Sequence, residues 1–518
     1  MPTLHLSGFP RIGAKCELST LLEAYWKGEN DAPTLLQGAR ALRQRHWLLQ
    51  KGAGVQLSPV GDFSLFDHVL DTLVLLGAIP ARFGFCASTL SCEQYFAMAR
   101  GQQAQPALAM RQWFDTHYHY LQPEWQTDSR FSANPAPLLT QLAEARALGI
   151  QTKPVLIGPL TLLWLGSAAR HFDRLQLLPA LLDAYAQLLQ ALQQQGVQWL
   201  QLDEPILTQE LPEAWLTALE QAYRQLAASP LKLLLASYFG SVEKHASRLK
   251  ALPVAGLHLD LASAPEQLPA FATDWPQDKV LSAGIVDGRN IWRSDLSRQL
   301  DGLQDLAAQL GERLWLAPSC SLLHSPFDLA AETDMENDTR SAMAFAVQKL
   351  YELKLLKRAL EQGRDSIRNE LQASDHVSAR RQSATPLALV KRDENHGASA
   401  EKHASLAAAA ALPLLEEQLG GAAIAEQAAT QLDGFVATRL GAVQLHGSTS
   451  ITPPIVAAEI HGSAALQQQS IADVPALANT ILQWSFVRTD LPRSTIQHQL
   501  ADALVQGGQH GKCGENAA

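Results

Sequence analysis

The sequence has few cysteines and little to suggest export or membrane insertion. Five cysteines occur among 518 residues, and their wide scatter does not suggest a disulfide framework. No uninterrupted apolar run is long enough to span a bilayer, and the first residues lack a basic stretch followed by an apolar core. We therefore expect a cytoplasmic protein with no membrane contact.

Excess positive charge and nucleotide-binding motifs are also missing from the sequence. The formal net charge is -10, which argues against a nucleic-acid or anionic-membrane surface. Neither a G-x-G-x-x-G pattern nor a P-loop occurs, so the usual nucleotide sites are not expected. With 518 residues, of which 47% are hydrophobic, the chain is long enough for more than one domain.

One short apolar segment organises the first part of the chain. Residues 197–205 read VQWLQLDEP, a run that is too short for a helix and lies between helical patterns. It predicts a buried parallel strand that ends before Pro205, since proline cannot donate to a strand ladder. Asp203 and Glu204 then lie at the carboxyl end of the strand. Taken alone, they are as consistent with a helix cap and a solvated side chain as with an active site.

Strands and helices alternate regularly on both sides of this segment. Polar residues follow most of the strands, an arrangement that favours an α/β fold of the closed (β/α)8 barrel type over an open sheet. The predicted strands cover residues 3–6, 55–60, 155–157, 197–203, 231–235, 256–261, 280–285 and 314–317.

Several segments of the chain resemble the cobalamin-independent methionine synthase family. The resemblance covers residues 1–360 almost without gaps, and a weaker one covers residues 431–505. The segments are GFPRIG, RHWLLQ, SPVGDFSLFDHV, WFDTHYHYLQPEW, KPVLIGPLTLLWL, QLDEPIL, LSAGIVDGRNIWR and SCSLLHSP in the first region, and LDGFV, HGSTSITPPIV and NTILQWSFVRTDLPRSTIQHQLADAL in the second.

The resemblance implies two face-to-face (β/α)8 barrels and a zinc-dependent methyl transfer. In the family, the methyl group passes from 5-methyltetrahydrofolate polyglutamate to homocysteine and gives methionine. A His-x-Cys pair, a glutamate and a later cysteine of the second barrel hold the zinc. The zinc binds the homocysteine sulfur as a thiolate and so makes it nucleophilic at neutral pH.

The second barrel departs from the family pattern. None of the five cysteines follows a histidine by two positions, and Thr449-Ser450 and Leu477-Ala478 replace the Arg-Cys and Gly-Pro pairs of the family. We therefore expect no catalytic residue and no bound zinc. We also expect a barrel over 1–360, a partly helical or disordered linker over 361–430, an incomplete second barrel over 431–505 and a disordered tail over 506–518.

The resemblance also implies folate-binding positions in this chain. At some of them an uncharged residue stands where the family has a cation. The family neutralises the polyglutamate tail with a basic segment after the first turn and with a later lysine. Here Ser19 and Gln112 replace two of those cations, and we expect the loss to weaken tail binding. The positions carried over are Arg11, Lys15, Ser19, Gln112 and Trp484, whose family counterpart stacks on the pterin ring.

Other candidate ligands have ordinary explanations. His117 and His119 lie in an aromatic cluster, and we expect them to pack rather than bind metal. Cys320 with His324 supplies too few ligands for zinc, so we expect a structural or vestigial cysteine. We likewise interpret Asp203 and Glu204 as the structural counterpart of the substrate-binding strand that the duplicated second barrel of the family contains.

Three hypotheses follow from the sequence. The first is a methionine synthase homologue that is inactive or strongly impaired alone, with a separate chain as a candidate source of the missing barrel half. The second is a non-catalytic barrel protein that binds folate or a partner. The third is another barrel enzyme, such as a hydrolase or decarboxylase, that uses Asp203 and Glu204.

Overall fold

Eight parallel strands form the centre of the molecule. A computed structural model describes residues 1–102, 105–333, 335 and 340–383. Each strand ends close to where the apolar pattern of the sequence predicts. The strands are β1 (Thr3–Leu4), β2 (Ser58–Val60), β3 (Thr152–Ile157), β4 (Trp199–Asp203), β5 (Lys232–Ser237), β6 (Gly256–Asp260), β7 (Val280–Val286) and β8 (Leu314–Pro318).

The strands follow one another around a ring. Each strand from β2 to β7 pairs in parallel with the next in chain order, and β8 pairs in parallel with β1. A single parallel bridge between His5 and Leu57 joins β1 to the start of β2 and closes the ring. The amide of Gln56 donates to the Leu4 carbonyl at 2.8 Å, and its side chain accepts from the Leu4 amide at 3.0 Å. The expected α/β barrel class is confirmed.

Helices cover the outside of the ring and begin where the sequence supplies caps. Asp31 and Asp67 accept hydrogen bonds from the first turns of α2 and α3, and Ser91 forms a capping box with Gln94 at α4. The helices are α1 (Glu17–Trp26), α2 (Ala32–Gly52), α3 (His68–Leu75), α4 (Cys92–Arg100), α5 (Ala136–Ala147), α6 (Pro159–Leu165), α7 (Leu178–Gln194), α8 (Glu213–Leu226), α9 (Ala246–Ala251), α10 (Leu268–Ala272), α11 (Leu296–Leu310), α12 (Ala346–Gln362) and α13 (Arg368–Ser383).

The interior of the ring contains buried polar and aromatic side chains. Trp199 and Trp315 meet at a ring distance of 4.5 Å. Beside them, Ser282 lies between two buried histidines, 2.6 Å from His5 Nε2 and 2.8 Å from His258 Nδ1. The fully buried Lys153 also points inwards. Bulky branched apolar side chains usually fill such barrels, and here His5, His258, Ser282 and Lys153 occupy part of that space.

The described chain continues past residue 360 as helix. α13 packs on α11, and the Ser374 hydroxyl accepts from the Leu296 amide at 3.0 Å and donates to the Ser294 carbonyl at 2.8 Å. Residues 384–518 lie outside the described part of the chain, and with them lie most of the predicted linker, the predicted fragment over 431–505, the predicted tail and Trp484. The domain boundaries therefore remain a prediction. Across the described residues, no helix combines the length and the apolar content needed to cross a membrane.

Candidate functional site

Asp203 ends β4 at the mouth of the barrel, as predicted, but its carboxylate is tied to other side chains. Its Oδ1 accepts from Gln201 Nε2 at 2.6 Å, and its Oδ2 accepts from the Tyr238 hydroxyl at 3.0 Å. Gln201 in turn accepts from Lys153, whose Nζ also donates to the Leu6 carbonyl at 3.2 Å. Burial raises the pKa of Asp203 and lowers the pKa of Lys153, while their opposite charges partly offset both changes.

Glu204 is fully buried and accepts hydrogen bonds from the first turn of a helix. Its Oε2 accepts from the amide and the hydroxyl of Thr161 at 2.7 and 2.6 Å, and its Oε1 accepts from the Leu160 amide at 3.2 Å and the Tyr223 hydroxyl at 3.3 Å. These contacts cap the start of α6, where free amides favour a negative charge. A Cβ atom at Gly158 would overlap this carboxyl group, which explains the glycine before Pro159. Burial nevertheless raises the pKa of Glu204 to about 7.

The other strand ends at the mouth are also buried. The Asp260 carboxylate accepts from three backbone amides, those of Phe239, Ala262 and Ser263, at 2.8 to 3.2 Å. Cys320 is fully buried, and burial raises the pKa of its thiol well above the usual range. It is therefore a protonated thiol and a poor nucleophile at neutral pH. Burial also lowers the pKa of His324 to about 3.

The residues at the mouth do not fit a zinc site. In the part of the chain that the structure describes, no three histidine, cysteine, aspartate or glutamate side chains come together in a way that could hold a metal ion. Zinc needs at least three protein ligands, with cysteine bound as thiolate. The buried, protonated Cys320 does not supply one. The only cysteine beyond residue 383 is Cys513, and Gly511 stands two positions before it.

The four predicted folate positions that the structure describes differ widely in exposure. Arg11 is buried, donates to the Ser64 carbonyl at 3.0 Å and lies 5.9 Å from the centre of the Tyr118 ring. Ser19 is also buried, and its hydroxyl donates to the Cys16 carbonyl at 2.9 Å. Lys15 and Gln112 are exposed, and Gln112 donates to the Thr116 carbonyl at 2.7 Å within its own hairpin. Among these four positions, only Lys15 is an exposed cation.

Sequence reasoning missed two residues that shape this end of the barrel. Lys153 lies two residues before the predicted strand over 155–157, and a lysine so close to a buried apolar run is a signal that could have been noticed. Arg289 binds Asp115 across the mouth through a side-chain contact of 3.2 Å. No local pattern indicates a contact between residues 174 positions apart.

The eight strands and their surrounding helices define a (β/α)8 domain, and comparison with known proteins gives its family. Residues 3–311 match the model of the cobalamin-independent synthase N-terminal domain, and residues 421–510 match the model of the catalytic domain of the same synthases. The chain therefore belongs to the cobalamin-independent methionine synthase family.

Two relatives of known sequence agree with this assignment. A 5-methyltetrahydropteroyltriglutamate–homocysteine methyltransferase of Actinobacillus pleuropneumoniae serotype 5b is 42% identical over 585 residues, which covers 97% of this chain and 77% of the relative. The enzyme of the same name from Neisseria meningitidis serogroup B is 42% identical over 586 residues, with the same shares of both chains. A solved B12-independent methionine synthase of Shewanella sp. W3-18-1 is 14% identical, with a TM-score of 0.43 over 66% of this chain and 92% of its own.

The raised pKa of Glu204 gives a prediction about stability. Because the folded-state pKa of about 7 exceeds the ordinary 4.5, the folded form holds this proton more tightly than the unfolded form. Its contribution to stability is therefore greatest at low pH and is lost as the pH rises from about 4.5 through 7. We expect the Glu204→Gln variant, which cannot ionise, to lack this decline of about 3 kcal/mol.

Urea unfolding between pH 4.5 and 8, followed by tryptophan fluorescence, measures this difference. Glu213→Gln is the matched control, since the Glu213 side chain is 70% exposed. Its profile should run parallel to that of the unchanged protein. If the Glu204→Gln profile is also parallel, Glu204 is ionised with an ordinary pKa and the analysis of its burial is wrong.

Proposed function

We propose that this chain is a methionine synthase homologue whose first barrel serves as a scaffold, and that residues 1–518 alone do not transfer methyl groups at a useful rate. The observation that carries this proposal is the missing ligand set. The described residues offer no zinc site, and the whole sequence contains no His-x-Cys pair. We also propose that the protein is cytoplasmic and that a separate chain supplies the missing half of the second barrel.

The chemical reason lies in the sulfur nucleophile. Homocysteine carries a thiol whose ordinary pKa of about 8.5 leaves most of it protonated at neutral pH. An activating group must therefore lower that pKa. The carboxylates at the mouth of this barrel are held by hydrogen bonds inside the protein, so they do not replace such a group. This use of Asp203 and Glu204 also argues against a hydrolase or decarboxylase that depends on them.

We further propose that folate polyglutamate binds only weakly to these residues. Of the predicted positions Arg11, Lys15, Ser19, Gln112 and Trp484, the first is buried and already paired, and the last lies outside the described residues. Lys15 remains as an exposed cation near the start of α1. One exposed ion pair contributes about 0.2 to 1 kcal/mol.

The first test is methyl transfer itself. With 5-methyltetrahydropteroyltriglutamate, homocysteine and zinc, we expect turnover at least about a thousandfold below that of the Actinobacillus relative, since metal activation contributes several kcal/mol. Methionine formation measured by mass spectrometry gives the rate. Turnover within about tenfold of the relative would refute the proposal.

Metal content provides an independent test. After incubation with zinc and gel filtration, we expect the purified chain to retain well below one zinc ion per molecule, because the three or more ligands that zinc requires are not assembled. Elemental analysis by mass spectrometry measures the content, with the Actinobacillus relative as the positive control. Stoichiometric zinc that survives dialysis would show that a ligand set exists.

The third test concerns the folate tail. By calorimetry, we expect the triglutamate and monoglutamate forms to bind with affinities that differ by less than about fivefold, since one exposed cation meets the tail. Lys15→Gln should remove that difference, and Lys27→Gln, a change of an exposed lysine at the end of α1, should leave it unchanged. A strong preference for triglutamate that survives Lys15→Gln would show that other residues bind the tail.

A further inference from the structure

The loops that follow β7 and β8 contain a second apolar cluster, which is separate from the main core around the barrel. Its buried members are Ile291, Leu329, Met335, Met343 and Phe345. The Ala344 amide donates to the Ile291 carbonyl at 2.7 Å. The Arg293 amide donates to the Ala342 carbonyl at 2.9 Å. These backbone hydrogen bonds fix the two loops to each other as a short antiparallel pair.

A pocket of about 430 Å³ lies between this second cluster and the main core. Leu329 and Met343 of the second cluster contribute to its lining, and so do Leu296 and Leu355 of the main core. Protein interiors contain few voids larger than a water molecule, so a space of this size is not an ordinary packing defect. Its volume lies within the range of about 300 to 1,000 Å³ that is typical of small-molecule sites.

Cationic and aromatic side chains form the more exposed part of the lining. Arg293 and Arg340 are half-buried, and Tyr351 is 49% exposed, whereas the apolar side chains deeper in the pocket are almost fully buried. The Met343 amide donates to the Arg340 carbonyl at 3.2 Å, so the backbone holds this arginine beside the apolar wall. Arginine and tyrosine are the residue types that often dominate binding energy at such sites.

The charge of the lining favours an anion. Among the lining residues that the structure describes, Glu352 is the only acidic one, and its two oxygens accept from the Ser294 amide and hydroxyl at 2.8 and 2.7 Å. Two guanidinium groups therefore face one carboxylate that is already hydrogen-bonded, on a chain whose net charge is -10. Since a guanidinium has five N–H donors, Arg293 can bind an anion in addition to the contacts that it makes within the protein.

We propose that this pocket binds a small anion with an apolar body, such as an aromatic or medium-chain carboxylate. The anionic group pairs with Arg340 and Arg293, and the apolar body packs on Leu296, Met343 and the Tyr351 ring. The flexible thioether of methionine suits a wall that must adapt to a ligand. This inference does not rest on the proposed function, because none of the four described folate positions lines the pocket.

A fluorescent anion tests the site in the full-length chain. The probe is 8-anilinonaphthalene-1-sulfonate, which carries a sulfonate on an aromatic body and fluoresces strongly when it leaves water. We expect saturable binding, which Arg340→Gln weakens by about fivefold because it removes a cation from the partly exposed contact. Arg170→Gln, a change of an exposed arginine outside the lining, is the matched control and should leave the affinity unchanged.

A neutral dye separates the contribution of charge from that of packing. N-phenyl-1-naphthylamine has the same aromatic body without the sulfonate, so Arg340→Gln should leave its affinity unchanged. Tyr351→Ala should weaken the binding of both dyes by about threefold, since it removes an aromatic wall of the pocket. Thermal unfolding followed by circular dichroism checks that each variant has the fold and the stability of the unchanged chain.

Ionic strength provides a second test, which needs no substitution. Raising the salt concentration should weaken the binding of the sulfonate dye to the unchanged chain, because salt screens its attraction to the two partly exposed arginines. The affinity of the neutral dye should not fall under the same conditions. This comparison is independent of any folding defect in the variants.

Three results would overturn this site. The sulfonate dye could fail to bind saturably to the unchanged chain. Its affinity could stay the same in both Arg340→Gln and Tyr351→Ala, which would mean that the dye binds elsewhere on the chain. The neutral dye could also lose as much affinity as the sulfonate dye in Arg340→Gln and in salt, which would mean that the charge of the pocket does not select an anion.

Discussion

A charge inside a closed ring of strands must be paired, and this requirement shapes the first barrel. Lys153 enters the ring from β3, and its ammonium group bonds to the Leu6 carbonyl after β1 and to Gln201 on β4. Gln201 in turn donates to one oxygen of Asp203, and the Tyr238 hydroxyl, at the end of β5, donates to the other oxygen. Because an unpaired member of such a chain would be costly, the network constrains how four strands sit relative to one another.

The same requirement accounts for the contacts of the polar strand ends. Glu204 looks catalytic in the sequence, yet its oxygens are occupied by the first turn of α6 and by Tyr223. Asp260 is occupied by backbone amides in the same way. A carboxylate whose lone pairs are already used by the protein stabilises loops and helix starts, and it is not free to receive a substrate proton. The first barrel of this family member therefore keeps the geometry of an enzyme mouth while its polar groups serve the fold.

Much of the architecture could be predicted from local sequence. The segment around Asp203 is a strand that ends at the predicted residue, although its pairing begins at Trp199 and not at Val197, and the pattern of capping residues marks where helices such as α2 and α3 begin. Where strand bounds differ, the ring is the cause: the run from Val55 was expected to be strand, but only Ser58–Val60 pairs along its length, since the ring closes there through a single bridge. The aromatic cluster around His117 was expected to pack, but its place over the mouth was not foreseen.

The sequence by itself determined the period of the strands and helices, the family, and the absence of a His-x-Cys pair, because each of these is a property of neighbouring residues. Only the tertiary structure decided the roles of the charged groups. Glu204 caps a helix that begins more than 40 residues earlier, and Arg289 binds a hairpin 174 residues away. Such contacts arise when the ring closes and brings distant segments to one end, and local periodicity carries no information about which side chains meet there.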